Sequence, residues 1–484
     1  AYNYPDDRGD LLAWAEGGPL LRNGVPTAPA WPASLDSDCV VLLSQSADKS
    51  PGANAACIAP MRYRAMPSIA YRLALAAAGD GVAGASLYGP GTWDFAGGHA
   101  LLLGAGGDLF SRDGTPVRYD PDGSCRSSAW VFGGSPPHVD HIRGSDWSAV
   151  LDEGPADGPY GLCFPRSGGG PLDPAMHARA QGCLLGQLAG DALGSLVEFQ
   201  GPDAIAARYP GGVRELADGG THHTIAGQPT DDSEMALLLA RSLIEHGAYE
   251  PDPVRHAYVY WLESGPFDCG ITIGNALRGG YNYESQANGA LMRISPLGIF
   301  GVHHAPHELA DWARQDAVLT HPHPVCQEVN ALFAMAIAHA IRTGCGPGSL
   351  CDQIAEWARE MDCLPPVVET IEAARTAPPD DYITLQGWVL IAFQNALWQL
   401  QHASGFTEAV VDTVMRGGDT DTNAAICGAL MGAMHGFDAI PAQWRDRVLT
   451  CRPIGSLPDV HRPRPRCFWP VDALILVDRL LAAG

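Results

Sequence analysis

Gly182, Gly186, Gly190 and Gly194 recur every four residues, and no other feature constrains this chain so tightly. A four-residue step keeps positions on one face of a helix, and small residues so placed let another helix approach closely. The surrounding sequence reads the same way. Apolar positions recur with helical period over 176–188, 234–245, 253–262, 308–319, 326–342, 351–360, 367–374, 387–402, 407–415, 423–434 and 471–481. Few alternating runs compete, and no fixed-period repeat suggests a solenoid. About 310 residues of helix with short loops exceed one four-helix bundle, so a compact, many-helix orthogonal domain is expected over 173–484.

The first ~150 residues have a different texture, which marks a domain boundary. The run 38–44 reads as a buried strand, 67–79 as a helix ended by Gly79, and 95–103 as a helix closed by Gly104, Gly106 and Gly107. Residues 108–119 read as strand, turn at Asp113-Gly114, strand, and Val131-Phe132 as a further strand. This mixture predicts a partial α/β module over 1–151. Between the two, 152–172 is rich in glycine and proline, including Ser167-Gly168-Gly169-Gly170-Pro171, and is expected to be a linker.

Composition narrows the chemistry. The 484 residues allow two or three domains at roughly 100–200 residues each. Among 30 basic residues Lys49 is the single lysine, and it stands in Ala-Asp-Lys-Ser-Pro, which argues against kinase-like, phosphate-loop and lysine Schiff-base chemistries. A net charge of −24 argues against nucleic acid or an anionic membrane as the main partner. Thirteen cysteines without a C-x-x-C pair suit small core residues in a reducing, cytoplasmic setting. No uninterrupted apolar stretch reaches the ~18 residues of a membrane span. The abrupt opening Ala-Tyr-Asn-Tyr-Pro-Asp-Asp is expected to follow a missing upstream segment.

Two acidic segments carry chemistry: Thr230-Asp231-Asp232-Ser233-Glu234 and Gly417-Gly418-Asp419-Thr420-Asp421-Thr422-Asn423, each at the start of a helical run. Either alone reads as helix capping, worth about 0.5–2 kcal/mol. Capping needs one side chain, however, and the pair offers Asp231, Asp232, Asp419 and Asp421 with threonines beside them. Oxygen-only donors suit magnesium or manganese, a cation would screen carboxylates that otherwise repel, and two ions could polarise hydroxyls and activate water. The glycine helix runs on through Asp191 and Gly194 to Glu198, which could project into the same site.

Taken in order, the Gly182–Gly194 repeat with Glu198, then T-D-D-S, then Asn288-Gly289 with Met292-Arg293 and Pro296-Leu297-Gly298, then Thr320-His321-Pro322, then G-G-D-T-D-T-N resemble the ADP-ribosylglycohydrolase family. That family includes dinitrogenase-reductase-activating glycohydrolase and the ADP-ribosylarginine hydrolases. The resemblance implies an all-α fold, a binuclear centre of two Mg²⁺ or Mn²⁺, and hydrolysis of the glycosidic bond to the distal ribose of ADP-ribose, on a modified protein or a small conjugate. It implies that Thr230, Asp231 and Asp232 hold one side of the metal pair and Asp419, Asp421 and Thr422 the other. Glu198 matches the family's mobile acid beside the metals. Asp268, in Phe267-Asp268-Cys269-Gly270-Ile271-Thr272, resembles the aspartate of a D-I-G-N-T pattern, with Ile271 in place of the usual Asn. Asp268 or Asp231 would accept the proton of the attacking water. Ser285, Asn288 and His321 match positions that contact phosphate, ribose or adenine.

In the N-terminal part, Ser68-Ile69-Ala70 through Gly79, Gly91-Thr92-Trp93-Asp94-Phe95-Ala96-Gly97-Gly98, Ala105-Gly106-Gly107 and Asp113-Gly114-Thr115-Pro116 resemble the C-terminal half of inositol-monophosphatase-like phosphatases. This resemblance makes Asp94 the match for a metal-binding aspartate. The upstream carboxylate motifs of that family are missing, so the module is truncated, degenerate, or completed by a partner chain or a missing segment. Two other functions stand beside the hydrolase: a non-catalytic ADP-ribose-binding or structural protein, and a sugar or nucleotide phosphatase with an accessory helical domain.

Overall fold

The computed structural model describes residues 11–121, 124–125, 129–151, 158–165 and 173–484. The chain divides into two compact units, Ala1–Ala156 and Asp157–Gly484. Of the expected linker, residues 152–157 and 166–172 lie outside the described residues. Within 158–165, the Gly161 carbonyl accepts from Arg241 and the Cys163 N–H donates to Asp472, so this stretch is bonded to the helical unit.

The N-terminal unit opens with a three-stranded antiparallel meander: β1 (Leu12–Ala13), β2 (Leu21–Arg22) and β3 (Val25–Pro26). A five-stranded mixed sheet follows, built from β4 (Val40–Ser44), β5 (Arg62–Met66), β6 (Ala83–Ser86), β7 (Asp108–Ser111) and β8 (Val131–Gly134) in the order β5-β4-β6-β8-β7. β4 pairs in parallel with β5 and β6, and β8 runs antiparallel to β6 and β7. Successive strand residues face opposite sides, and β4 uses both. Val41 and Leu43 pack with Cys57 and Ile58 of α1 (Pro51–Ile58) and with Val139 and Ile142 of α4 (Pro136–Arg143). Val40 and Leu42 pack with Leu75 of α2 (Ile69–Ala78). On that same face α2 is joined by α3 (Thr92–Gly104), with Leu73, Phe95 and Leu102 meeting Leu109 and Val131. Gly98 permits the contact, since a Cβ there would stand 2.7 Å from that of Leu73.

Three expectations change in this unit. The second strand after the Asp113-Gly114 turn does not form; Phe110 and Pro116 make one isolated bridge, and proline has no N–H to extend a ladder. β5 and β6, unremarked in the sequence, are formed. Asp94 lies in the first turn of α3 rather than before it, exposed, with Oδ2 accepting the Gly91 N–H at 2.8 Å.

The second unit is helical, with only isolated bridges at Gly219–Thr224 and Ala287–Trp388 among the described residues. Its centre is α5 (Pro174–Gly194), started by Asp173, whose side chain accepts from the N–H groups of Ala175 and Met176. α5 is buried on every side from Ala180 onward, as a central helix must be. Around it lie α6 (Asp231–His246), α8 (Pro324–Thr343), α9 (Thr420–His435) and α10 (Ala473–Ala483), and α7 (Ile271–Leu277) joins the same core through Ile273 and Leu277. α8 is apolar and long enough to span a membrane, but 78% of its most apolar window is buried within this unit. All thirteen cysteines are free thiols.

Candidate active site

The glycine row positions the site. A Cβ on Gly182, Gly186, Gly190 or Gly194 would land on the backbone oxygens of Gly432, Gly428, Ala424 or Thr420, so α5 and α9 touch main chain to main chain. Gly428 and Gly432 reciprocate against Gly186 and Gly182. At the end of this seam Gly194 lies against the Asp421 backbone, and the Thr420 hydroxyl donates to the Gly194 carbonyl at 2.7 Å. Gly417 and Gly418 have φ of 75° and 77°, the left-handed region that favours glycine. They let the chain turn so that the Phe199 N–H reaches the Gly418 carbonyl at 2.8 Å. The segment carrying Glu198 is thereby joined to the segment carrying Asp419.

The capping question is answered by Asp191, a residue the sequence reading passed over. Its carboxylate accepts from the N–H groups of Thr230 and Ser233 and from the Thr230 hydroxyl, at 2.9–3.2 Å. The start of α6 is thus capped from α5, and Asp231 and Asp232 are not used as caps. The Thr230 hydroxyl also stands 2.9 Å from Asp232 Oδ2, yet it has one proton for two carboxylates. Asp232 Oδ1 is buried with no partner, as are both polar atoms of the Asn423 amide.

The other acids converge on the same place. Asp231 is 7% exposed and takes a 3.3 Å bond from the Gly270 N–H; Asp421 is 1% exposed. Burial, reinforced by neighbouring carboxylates, pushes Asp231, Asp232 and Asp421 well above the usual carboxylate range. Burial likewise raises Asp419, against a 2.7 Å bond from Asn288 and the hydroxyl of Thr422. Asp191 is raised to about 7, again chiefly by burial. Buried charges of one sign, with one oxygen lacking any donor, are costly unless a cation is present. The donor set, carboxylates and threonine hydroxyls, is the hard-oxygen shell that suits magnesium or manganese, so these residues fit a divalent metal.

At the mouth stand Glu198, His222 and Asp268. His222 Nε2 is 2.6 Å from Glu198 Oε2 and 3.5 Å from Asp268 Oδ2. One ligand atom from each of Glu198, His222, Asp268 and Asp421 lies within 4.8 Å of all the others. Burial raises the Glu198 carboxyl, partly offset by His222; the His222 imidazole, which burial alone would depress, is held above its ordinary value by Glu198 and Asp268. His222 was missed because no motif spacing marks it; its loop reaches the site through contacts distant in sequence.

Ser285, Asn288 and His321 occupy three different settings. Asn288 reaches the carboxylates directly through Asp419, and its N–H donates to the Gly387 carbonyl at 2.9 Å. Ser285 is half-buried, its hydroxyl 2.9 Å from that of Thr272 at the start of α7. His321 is 1% exposed, bonded to Thr320, and its ring lies beneath Gly289, where burial and Arg293 lower its pKa to about 3. Ile271 is 83% exposed at the first position of α7. In the N-terminal unit Asp94 has no comparable company, since the clustered metal-ligand groups among the described residues include only the Glu198 set.

A helical core delivers two acid-bearing helix starts to one buried cluster whose oxygen donors fit a divalent cation. Comparison with known proteins identifies the family. The sequence model of ADP-ribosylglycohydrolase matches residues 172–467, and the chain belongs to that family of hydrolases. It is 30% identical over 285 residues to the ADP-ribosyl-[dinitrogen reductase] glycohydrolase of Rhodospirillum rubrum, covering 57% of this chain and 92% of that one. With an ADP-ribosylarginine hydrolase of Pseudomonas putida the identity is 27% over 314 residues, covering 61% and 81%. A solved structure titled ADP-ribosylglycohydrolase-related protein complex aligns at TM-score 0.52 with 28% identity, over 64% of this chain and 99% of its own. The N-terminal unit is similar to an inositol monophosphatase from Anabaena, at 22% identity and TM-score 0.23 over 30% of this chain and 56% of that one.

Proposed function

We propose that the helical unit removes ADP-ribose from a modified protein side chain, with arginine the foremost candidate, or from a small ADP-ribose conjugate. The observation that carries this reading is the unpartnered Oδ1 of buried Asp232 amid converging carboxylates, in a chain of this family. We assign Thr230, Asp231 and Asp232 to one side of a pair of Mg²⁺ or Mn²⁺ ions and Asp419, Asp421 and Thr422 to the other. Bound there, the metals would supply Lewis acidity toward ribose hydroxyls and water.

The chain's own residues account for the rest. Water adds to the anomeric carbon of the distal ribose as the bond to the leaving nitrogen or oxygen breaks; the proton that water gives up to a carboxylate is passed on to the leaving atom, so the carboxylate ends as it began. The oxocarbenium-like transition state gains from the surrounding negative charge. Asp268 suits the proton acceptor better than Asp231. Its side chain is 24% exposed, whereas Asp231 is buried, and burial together with neighbouring carboxylates disfavours its charged form. Asn288, through Asp419, and Ser285, beside α7, are assigned to substrate contacts. His321 is assigned to support of the Asn288-Gly289 turn, from beneath Gly289.

The test is a release assay on arginine-linked, serine-linked and free-nucleotide-linked ADP-ribose, with manganese, with magnesium and with a chelator. Metal-dependent release of free ADP-ribose from at least one linkage is expected. Calorimetric binding of ADP-ribose without release from any linkage would establish a binding protein instead.

A further inference from the structure

His222 stands where three distant parts of the chain meet. Its main chain is fixed: the Thr221 N–H donates to Ser195 O at 3.0 Å, the Thr221 hydroxyl donates to Glu198 O at 3.0 Å, and Arg462 Nε donates to His222 O at 2.8 Å. Gly220, at φ 74°, leaves no room for a Cβ against Ser195 O and Leu196. Phe267 packs against the imidazole at a tilt, with ring centroids 5.5 Å apart and planes 50° apart. Glu198 is equally fixed at its backbone, because Phe199 has a left-handed φ of 63° and is bonded to Gly418. With both main chains pinned, the 2.6 Å contact between His222 Nε2 and Glu198 Oε2 can be made and broken only by side-chain rotation.

A carboxylate only accepts, so Nε2 is the donor. An oxygen engaged by that N–H has less to offer a cation. Glu198 Oε2 therefore has two competing partners, the imidazole on one side and any cation held beside Asp421 on the other.

We propose that His222 is a positioning residue: its N–H donor holds Glu198, with Asp268 in ion-pair reach, and competes with a divalent cation for the Glu198 carboxylate, which sets the cation affinity of the site and keeps Glu198 turned toward the substrate side. The second half of this inference rests on the hydrolase reading above; the first half does not.

The experiment uses the full chain, stripped of metal, as wild type, His222→Ala and His222→Gln. Mn²⁺ binding is read by electron paramagnetic resonance of the free ion without substrate, and kcat and KM are read separately on an ADP-ribosylated protein. His222→Ala is expected to bind Mn²⁺ several-fold more tightly while kcat falls by about tenfold, the order seen for groups that orient metal-site ligands. KM is expected to stay within about threefold, since the ribose contacts are untouched. His222→Gln, which keeps an N–H donor, should lie between the two in both readouts, and its folding controls for damage in the alanine variant. Weaker Mn²⁺ binding in His222→Ala would make His222 a ligand or a structural prop and overturn the proposal, as would an unchanged affinity. Tighter Mn²⁺ binding in a protein that releases no ADP-ribose from any linkage would uphold the competition and overturn the hydrolase reading alone.

Discussion

At the start of α3, in the N-terminal unit, Asp94 is exposed and turns back to accept the Gly91 N–H. At the starts of α6 and α9, in the helical unit, Asp231, Asp232 and Asp421 are buried, and the capping of α6 is taken over by Asp191 from another helix. The sequence pattern is the same, an aspartate in the first turn, but the consequence is opposite. An acid at a helix start satisfies its own backbone when water surrounds it. Where the acids are buried and, at α6, a carboxylate from another helix supplies the cap, the first-turn acids crowd together with few donors, and Asp232 Oδ1 has none. Crowded carboxylates of this kind are the donor set that suits a hard divalent cation.

The widest break in this comparison should come from the glycines. Gly190→Leu would drive a side chain into the Ala424 backbone and is expected to cost at least about 3 kcal/mol, the upper range of overpacking, with loss of cooperative thermal unfolding in the helical unit. A variant that melts like wild type would show that the α5–α9 contact can open. Next, Asp419→Ala with Asp421→Ala should abolish both ADP-ribose release and metal binding. Asp94→Asn should leave both intact and alter stability by no more than about 1 kcal/mol, a cap's worth. Full activity in the double variant would remove the metal assignment.

The two units should also respond to pH with opposite signs. Without metal, Asp191, Asp231, Asp232 and Asp421 keep protons in the folded chain that they lose when unfolded. Their contribution is fully present below the unfolded value of about 4 and falls as pH rises, for Asp191 through about 7 and for the other three in the same direction. Asp108, in the N-terminal unit, is raised by burial but held below its ordinary value overall by Arg118 and His99. Its contribution is present above about pH 4 and lost below. Scanning calorimetry with a chelator should therefore show the helical unit melting lower at about pH 8 than at about pH 5, with Mn²⁺ reversing the loss. A melting temperature unaffected by either pH or metal would contradict the charge surplus. The smallest effect is Gly97→Ala on the exposed face of α3, where a Cβ meets nothing within 4 Å. It should stabilise the N-terminal unit by about 0.5–1 kcal/mol, by calorimetry.

Much of the helical unit was legible because its periodicity is local. The helix expected over 176–188 extends to Gly194, and those expected over 234–245 and 423–434 start three residues earlier, at Asp231 and Thr420. In each case the helix absorbs the motif, because packing against a neighbour outweighs the low helix preference of Gly, Asp and Thr. In the N-terminal unit β6 reads Ala-Gly-Ala-Ser and has no strand preference of its own. It is a strand because β4 and β8 bond it from both sides and Gly84 lies against Arg72. Asp191 and His222 were not legible as site residues, since they meet their partners across 39 and 24 positions.

The sequence by itself determined the helical class, the family, and the identity of the paired acids, because helical period, glycine spacing and short motifs are all written within a few turns. Only the tertiary structure decided which acid is a cap and which is left unpaired, that His222 joins Glu198 to Asp268, and that His321 lies under the cleft floor. Those outcomes depend on burial and on donors arriving from distant segments, and neither quantity exists until the helices have packed.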